Sequence, residues 1–285
     1  MRGGDPAVPA HFVRRGLLWI TSLLWYREAA SDARPVMKIA LLADIHSNLE
    51  ALTACLAHAR AQDAGLHAFA GDLVGYGADP EAVLDVVEEY RRRGSLVVRG
   101  NHDDAALSEA EDEGMNPAAK RAAAWTRGIL TPRHREFLAS LPYFLRHGNL
   151  YLVHGSAAAP EKHLYVTDMR AASASLACAG DASWVVCGHV HEQALYYTVG
   201  GARPLPFKPV PGVAIPVPER RRWLAIAGSA GQPRDGNTAA CYAMLDTERP
   251  AITFHRVPYD WESAARKILE AGLPERLAVR LRKGE

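Results

Sequence analysis

Five short blocks of the sequence gather Asp, Asn and His side chains. They are ADIH with Asp44 and His46, AGD with Asp72, GNHD with Asn101, His102 and Asp103, VHG with His154, and GHVH with His189 and His191. Carboxylate, amide and imidazole groups without any thiolate suit hard or borderline divalent ions such as Mn, Fe, Zn, Ni or Co. One His beside a core strand is most often structural; five such blocks, each leading with a metal-competent group, reverse that reading. Asp44, His46, Asp72, Asn101, His154, His189 and His191 exceed what one ion takes while keeping an open position, so the set implies two ions. Paired ions about 3.5–4 Å apart need a shared ligand, and a carboxylate bridges where a neutral imidazole cannot. Asp72, alone in its block, is the natural bridge.

Each block closes an apolar run, so strands must position them. From Met37 the chain reads MKIALLA, then the helical LEALTACLAHARAQ, LHAFAGD as a second strand, PEAVLDVVEEYRRR as a second helix, and SLVV running into GNHDD as a loop. Continuous apolar strands alternating with helices imply a mostly parallel sheet covered on both faces, with the ligands at the strands' carboxyl ends. Residues 105 to 146 are Ala-rich and read as helical. Strands resume in NLYLVHG, SWVVCGH, WLAIAGS, ACYAML and AITFHRV, the last two joined by DTERP as a hairpin turn. The Pro-rich stretch from Gly200 to Pro218 reads as an excursion or hairpin, and the chain closes in two helices around Gly272 and Pro274.

The chain has 285 residues and a formal charge of +1, which argues against long nucleic acid and polybasic membrane binding as its business. Cys55, Cys178, Cys187 and Cys241 lie far apart and are expected to be reduced and mostly buried. The first 36 residues stand apart: Arg14 and Arg15 precede the apolar run GLLWITSLLWY, which is too short to span a bilayer. The expected organisation is an N-terminal extension over 1–36, outside the folded domain, and one domain over 37–285. Met37 is an alternative start. A cytoplasmic enzyme is expected, with export the alternative if the extension acts as a signal peptide.

The ordered set D-x-H, G-D, G-N-H-D, H-G and G-H-x-H resembles the calcineurin-like metallophosphoesterase superfamily, over Met37 to about Thr253. The resemblance implies an α/β fold in which two mixed sheets form a sandwich with helices outside, in four layers α/β/β/α. It implies that Asp44, His46, Asp72 and His191 bind one ion, and Asp72, Asn101, His154 and His189 the second. His102 would face the substrate as general acid or hydrogen-bond donor to the leaving oxygen. The expected reaction is hydrolysis of a small phosphodiester, nucleotide or phosphomonoester by a metal-bridging hydroxide, with no phosphoenzyme. Asp103 would either orient a ligand histidine or cap a loop.

Departures narrow the expectation. Protein serine/threonine phosphatases and symmetrical dinucleoside tetraphosphatases of the superfamily carry Asp-Arg-Gly shortly after G-D; here GDLVGYG puts Gly75 and Tyr76 in that place. Tyr76 would offer a stacking face or a hydroxyl near the site, or pack as a turn aromatic. GSAGQPRDG, residues 228–236, resembles a stretch in a bacterial branch of small metallophosphoesterases, which makes Arg234 a phosphate clamp or, alternatively, a turn tie to Asp235. Asn116 and Trp125 are weaker substrate-side candidates. The partner expected is a small phosphorylated substrate, with a homo-oligomer open. A nuclease of the same superfamily and a catalytically silent metal-binding scaffold are the alternatives.

Overall fold

The computed structural model of the chain describes Met1 and residues 38–109, 114–201 and 203–285. Met37–Glu285 forms one compact unit. The N-terminal run and its reading as a signal lie outside the described residues.

Three parallel strands, β1 (Lys38–Leu42), β2 (Leu66–Ala70) and β3 (Leu96–Val98), are linked by helices α1 (Leu49–Ala61) and α2 (Pro80–Arg92). Local signals set these helix ends. Asn48 Oδ1 accepts the Ala51 amide at 3.1 Å to cap α1, and Pro80 opens α2, where its missing N–H costs nothing. The sheet is completed by the hairpin β11 (Ala240–Asp246) and β12 (Ala251–Val257) and by the edge strand β9 (Ala214–Pro216), in the order β3-β2-β1-β11-β12-β9. β11 runs antiparallel to β1, and the DTERP turn behaves as expected.

The second sheet has the order β4-β5-β6-β10-β7-β8. Its parallel core is β5 (Leu150–Val153), β6 (Trp184–Cys187) and β10 (Trp223–Ala227), flanked by β4 (Phe144–His147), β7 (Gln193–Tyr197) and β8 (Leu205–Phe207). After its first residue β1 is buried throughout, and so are β5 and β10, which is the signature of a sheet covered on both faces. One outer layer packs Leu52, Cys55 and Leu56 of α1 and Val83, Leu84 and Val87 of α2 on Leu42, Phe69 and Tyr242. The other packs Ala172 and Leu176 of helix α6 (Met169–Cys178) on Tyr151, Val185 and Leu224. The fold is the expected mixed two-sheet sandwich with helices outside, and eight α-helices occur among the described residues.

In chain order, α3 (Asn101–Leu107), α4 (Pro117–Ile129) and α5 (Pro132–Ala139) come between β3 and β4. The expected loop at GNHDD is instead the first turn of α3, because Asp103 at its third position closes back on the Gly100 amide at 2.9 Å. The expected helical stretch to residue 146 ends early: β4 takes residues 144–147 and pairs antiparallel with β5. The Pro-rich excursion supplies two edge strands, β8 to one sheet and β9 to the other, rather than a hairpin. Helices α7 (Trp261–Glu270) and α8 (Glu275–Lys283) close the chain and pack Ala265, Ile268, Leu277 and Leu281 against α4 and Tyr76. All four cysteines are free; Cys178 is exposed and the other three are buried. No helix among the described residues is long and apolar enough to cross a membrane.

Candidate metal centre

Each of the six parallel strands ends in the same place. Asp44 follows β1, Asp72 follows β2, and Asn101 and His102 open α3 after β3; His154 follows β5, His189 and His191 follow β6, and the loop carrying Gln232 and Arg234 follows β10. The strand ends are tied by backbone and carboxylate bonds, within the first sheet and, through His189 and Asp44, across to the second. Asp44 N donates to Gly71 O at 3.1 Å and His46 N to Asp72 O at 3.0 Å. His102 N donates to Asp72 Oδ1 at 2.9 Å, and His189 N reaches both Asp44 oxygens at 3.1 and 2.8 Å. Asp44, His46, Asp72, His189 and His191 all adopt left-handed backbone, with φ of 52°, 50°, 51°, 69° and 66°. Such residues cost of order 1–3 kcal/mol each, and holding five at one spot marks a functional purpose.

Two groups of ligand atoms result. One atom from each of Asp44, His46, Asp72 and His191 lies within 4.8 Å of the others, and the same holds for Asp72, His154 and His189. Asp72 belongs to both. Asn101 joins the second group through Oδ1, 3.1 Å from His154 Nε2. The seven expected ligands therefore come together, five of the six Asp and His side chains fully buried and His189 nearly so.

The donor set fits a cation. His46 Nδ1 contacts Val74 O at 3.2 Å and His191 Nδ1 contacts Gln232 O at 2.6 Å. A carbonyl only accepts, so each Nδ1 carries the proton and each Nε2 a lone pair. Those two Nε2 atoms face each other at 3.1 Å, a repulsive pair that a shared cation would turn into two ligands. His154 repeats the design: its Nδ1 donates to Ala70 O at 2.8 Å, and its Nε2 lies 3.0 Å from His189 Nδ1 and 3.3 Å from Asp72 Oδ2. Asp72 Oδ2 itself is buried with no hydrogen-bond partner. An orphaned carboxylate oxygen in a buried site is expensive unless an ion takes it.

Electrostatics without a metal point the same way. Burial would raise Asp72, but His154, His102 and His46 hold its carboxyl well below the usual range. Burial opposes a charge on His154, yet Asp72 pushes it up to about 9. Burial lowers His46 and His191 far below 6.5 and takes His189 down to about 2. Burial, with Asp72 adding to it, lifts Asp44 to about 7. One proton on His154 thus stands in for the positive charge that the carboxylates ask for.

The remaining expected residues divide. His102 lines an open cavity of about 570 Å³ beside the centre, its ring edge-on to His46 at 4.9 Å. Tyr76 is buried and packs between His46 and His102, with ring centroids at 4.6 and 4.4 Å; it is both a turn aromatic and part of the cavity wall. Arg234 also lines the cavity, and its guanidinium bonds Gln232 Oε1, not Asp235, which pairs with Arg256. That removes the turn tie to Asp235. Asn116 lines the cavity rim, but its Oδ1 is committed to capping α4, accepting from Ala118 and Ala119 at 3.1 Å. Trp125 does not reach the cavity; it packs among the residues of α4, α7 and α8. Asp103 is the loop cap: it accepts from Leu73, Val74 and Gly100 amides at 2.9, 3.0 and 2.9 Å and touches no ligand histidine.

Sequence reasoning passed over Tyr165, which stacks on His189 at 3.7 Å between centroids, and His163, whose Nε2 meets Asp104 Oδ2 at 2.9 Å on the cavity wall. Neither stands beside a strand block, so no pattern in the sequence marks them.

A two-sheet α/β sandwich with a buried Asp/His cluster at the strand ends defines the class, and similarity makes it specific. Residues 37–250 match the model of the calcineurin-like phosphoesterase superfamily domain. The Methanocaldococcus jannaschii protein MJ0912 is 33% identical over 252 residues, covering 85% of this chain and 96% of that protein. The crystal structure of a metallophosphoesterase from Sphaerobacter thermophilus is 32% identical with a TM-score of 0.74, covering 88% of this chain and 100% of that one. That of the Pyrococcus horikoshii protein PH1004 is 20% identical with a TM-score of 0.71, covering 87% and 98%, a likeness of fold alone. The chain belongs to the calcineurin-like phosphoesterase superfamily.

Proposed function

We propose that the protein is a metal-dependent hydrolase of a small phosphodiester, nucleotide or phosphomonoester, acting with two divalent ions. The carrying observation is the convergence of two lone-pair clusters on Asp72, which belongs to both. Asp44, His46, Asp72 and His191 would hold one ion and Asp72, Asn101, His154 and His189 the other. Bound ions of this kind supply Lewis acidity, lowering the pKa of water and neutralising phosphoryl oxygens.

The chain's own residues do the rest. Asp44 and Asp72 are fixed by backbone amides, so little reorganisation accompanies loading. The carbonyls of Val74, Ala70 and Gln232 fix the tautomers of His46, His154 and His191. His102, which lines the cavity, would give a proton to the leaving oxygen. Arg234 faces the same cavity as a clamp for phosphoryl oxygens. A cavity of about 570 Å³ suits a small substrate, and a net charge of +1 is in keeping with that rather than with long nucleic acid.

The test is hydrolysis of bis-p-nitrophenyl phosphate and p-nitrophenyl phosphate by full-length protein stripped with chelator and reloaded with Mn(II). Turnover of either ester, lost in Asp72→Asn, supports the proposal, and the preferred ester sorts diesters from monoesters. Hydrolysis that persists in Asp72→Asn contradicts it.

A further inference from the structure

Two arginines from distant parts of the chain meet at one neutral oxygen. Arg234, in the loop after β10, donates from Nε and Nη2 to Gln232 Oε1 at 3.3 and 2.9 Å. Arg280, on α8, donates from Nη1 to the same oxygen at 3.3 Å. Both guanidinium carbons lie over the Tyr76 ring, 5.7 and 5.9 Å from its centroid.

Several other arginines of the chain are neutralised, though not all: Arg222 donates to the Ala182 and Leu176 carbonyls. Arg133, Arg146 and Arg256 each pair with a carboxylate. Among the described residues neither Arg234 nor Arg280 has such a partner, and Asp235, the carboxylate adjacent in sequence, is committed to Arg256. Burial and then the neighbouring Arg234 charge disfavour the cation on Arg280. Gln232 is almost wholly buried, so the oxygen that gathers the pair is fixed, and its carbonyl holds His191 at 2.6 Å. Arg234 N is tied to His191 O at 3.3 Å. The pair is therefore registered to the ligand cluster, with Tyr76 a shared neighbour of both arginines, His46 and His102. Two like charges beside a centre that takes cations stay together only at a loss unless an anion answers them.

We propose that Arg234 and Arg280 form a paired-guanidinium subsite for a second phosphoryl group, so that the substrate carries at least two phosphoryl groups. This rests on the phosphoesterase reading above. The first phosphoryl group is handled at the Asp/His cluster; the second is forked by guanidinium N–H pairs, whose planar geometry matches phosphoryl oxygens two at a time. Simple monoesters and uncharged-leaving-group diesters engage Arg234 at most, leave Arg280 unanswered and are the poorer ligands.

The experiment titrates methylphosphonate and methylenediphosphonate into the Mn(II)-loaded full chain by calorimetry, at buffered free metal. The wild type should prefer the bisphosphonate by about tenfold or more, the worth of one charge-assisted contact. Arg280→Gln and Arg234→Gln should each remove most of that preference, and Arg280→Lys should keep part of it. If Arg280→Gln melts early, Arg280→Met takes its place under the same criterion. No preference in the wild type, or an unchanged preference in the variants, overturns the subsite. So does an equal loss for both ligands, which would make the pair a brace for the turn. Bis-p-nitrophenyl phosphate hydrolysis run in parallel separates the two ideas: its absence in the wild type strikes the phosphoesterase reading, whereas intact turnover without bisphosphonate preference strikes the subsite alone.

Discussion

Asp44 and His189 join the two sheets at the candidate metal centre: the carboxylate that follows β1 accepts the backbone amide of the histidine that follows β6, on both of its oxygens. A candidate ligand from one sheet is thus tied to a candidate ligand from the other. The centre exists only when the sheets are docked, and its geometry is as rigid as the interface between them.

Replacing Asp44 with Asn keeps the shape but halves the acceptor capacity toward His189 N and removes a charge. Metal affinity should fall by at least about 10–100-fold, since even the loss of a ligand's outer-shell partner costs that much. Metal analysis after dialysis against graded chelator reads this directly. Asp72→Asn should reduce occupancy of both positions, since Asp72 belongs to both groups.

Metal uptake should release protons. In the metal-free protein Asp72 holds His154 at about 9, so at pH 8 the ring is largely protonated. A ligand nitrogen must be deprotonated, so loading expels that proton and affinity rises as pH increases toward 9. Calorimetric titration with Mn(II) at pH 8 in two buffers of different ionisation enthalpy should show about one proton released per chain. Buffer-independent heats would contradict it.

Asp103→Ala should be costly away from any ligand. Three buried backbone amides, of Leu73, Val74 and Gly100, would lose their acceptor. We expect a stability loss of about 3 kcal/mol or more, read by urea denaturation, with turnover falling as the Asp72 loop and Asn101 lose their register.

Acid should destabilise the metal-free protein in a defined window. Burial lowers His67 and His255 to about 4, against an ordinary 6.5. Their contribution is complete above pH 6.5 and is lost as pH falls toward 4, because the unfolded chain takes up protons that the folded chain refuses. His67 packs edge-on against Tyr90 with a buried Nε2 that has no hydrogen-bond partner. His67→Phe should therefore be no less stable at pH 7 and should lose less stability by pH 5. Urea melts at both pH values check this.

The strand blocks were legible in the sequence because a parallel strand buried on both faces is an unbroken apolar run, and in this fold the first polar residue after it falls in the site. Asp44, Asp72, His154 and His189 announce themselves that way. β4 did not, since three of its four residues are exposed, the fourth is half-buried and it stands at an edge. β8, with Pro206 in three exposed residues, is silent for the same reason. The turn of α3 was hidden by its own chemistry: Asn101, His102 and Asp103 look like loop residues until Asp103 is seen closing the helix start. Tyr165 and Arg280 were invisible because only tertiary packing sets them apart. On the amphipathic helix α8, Arg280 reads like its surface neighbours Arg276 and Arg282 until it meets Gln232.

The most direct test of the account compares wild type with His102→Ala in the full chain, both reloaded with Mn(II), measuring bound metal and bis-p-nitrophenyl phosphate turnover on the same samples. His102 lines the cavity and belongs to neither ligand group. The account predicts equal metal in the two proteins and a fall in turnover of at least about 100-fold in the variant, the usual worth of a positioned general acid. Turnover in His102→Ala equal to wild type, or metal-loaded wild type that cleaves neither phosphodiester nor phosphomonoester, would contradict it.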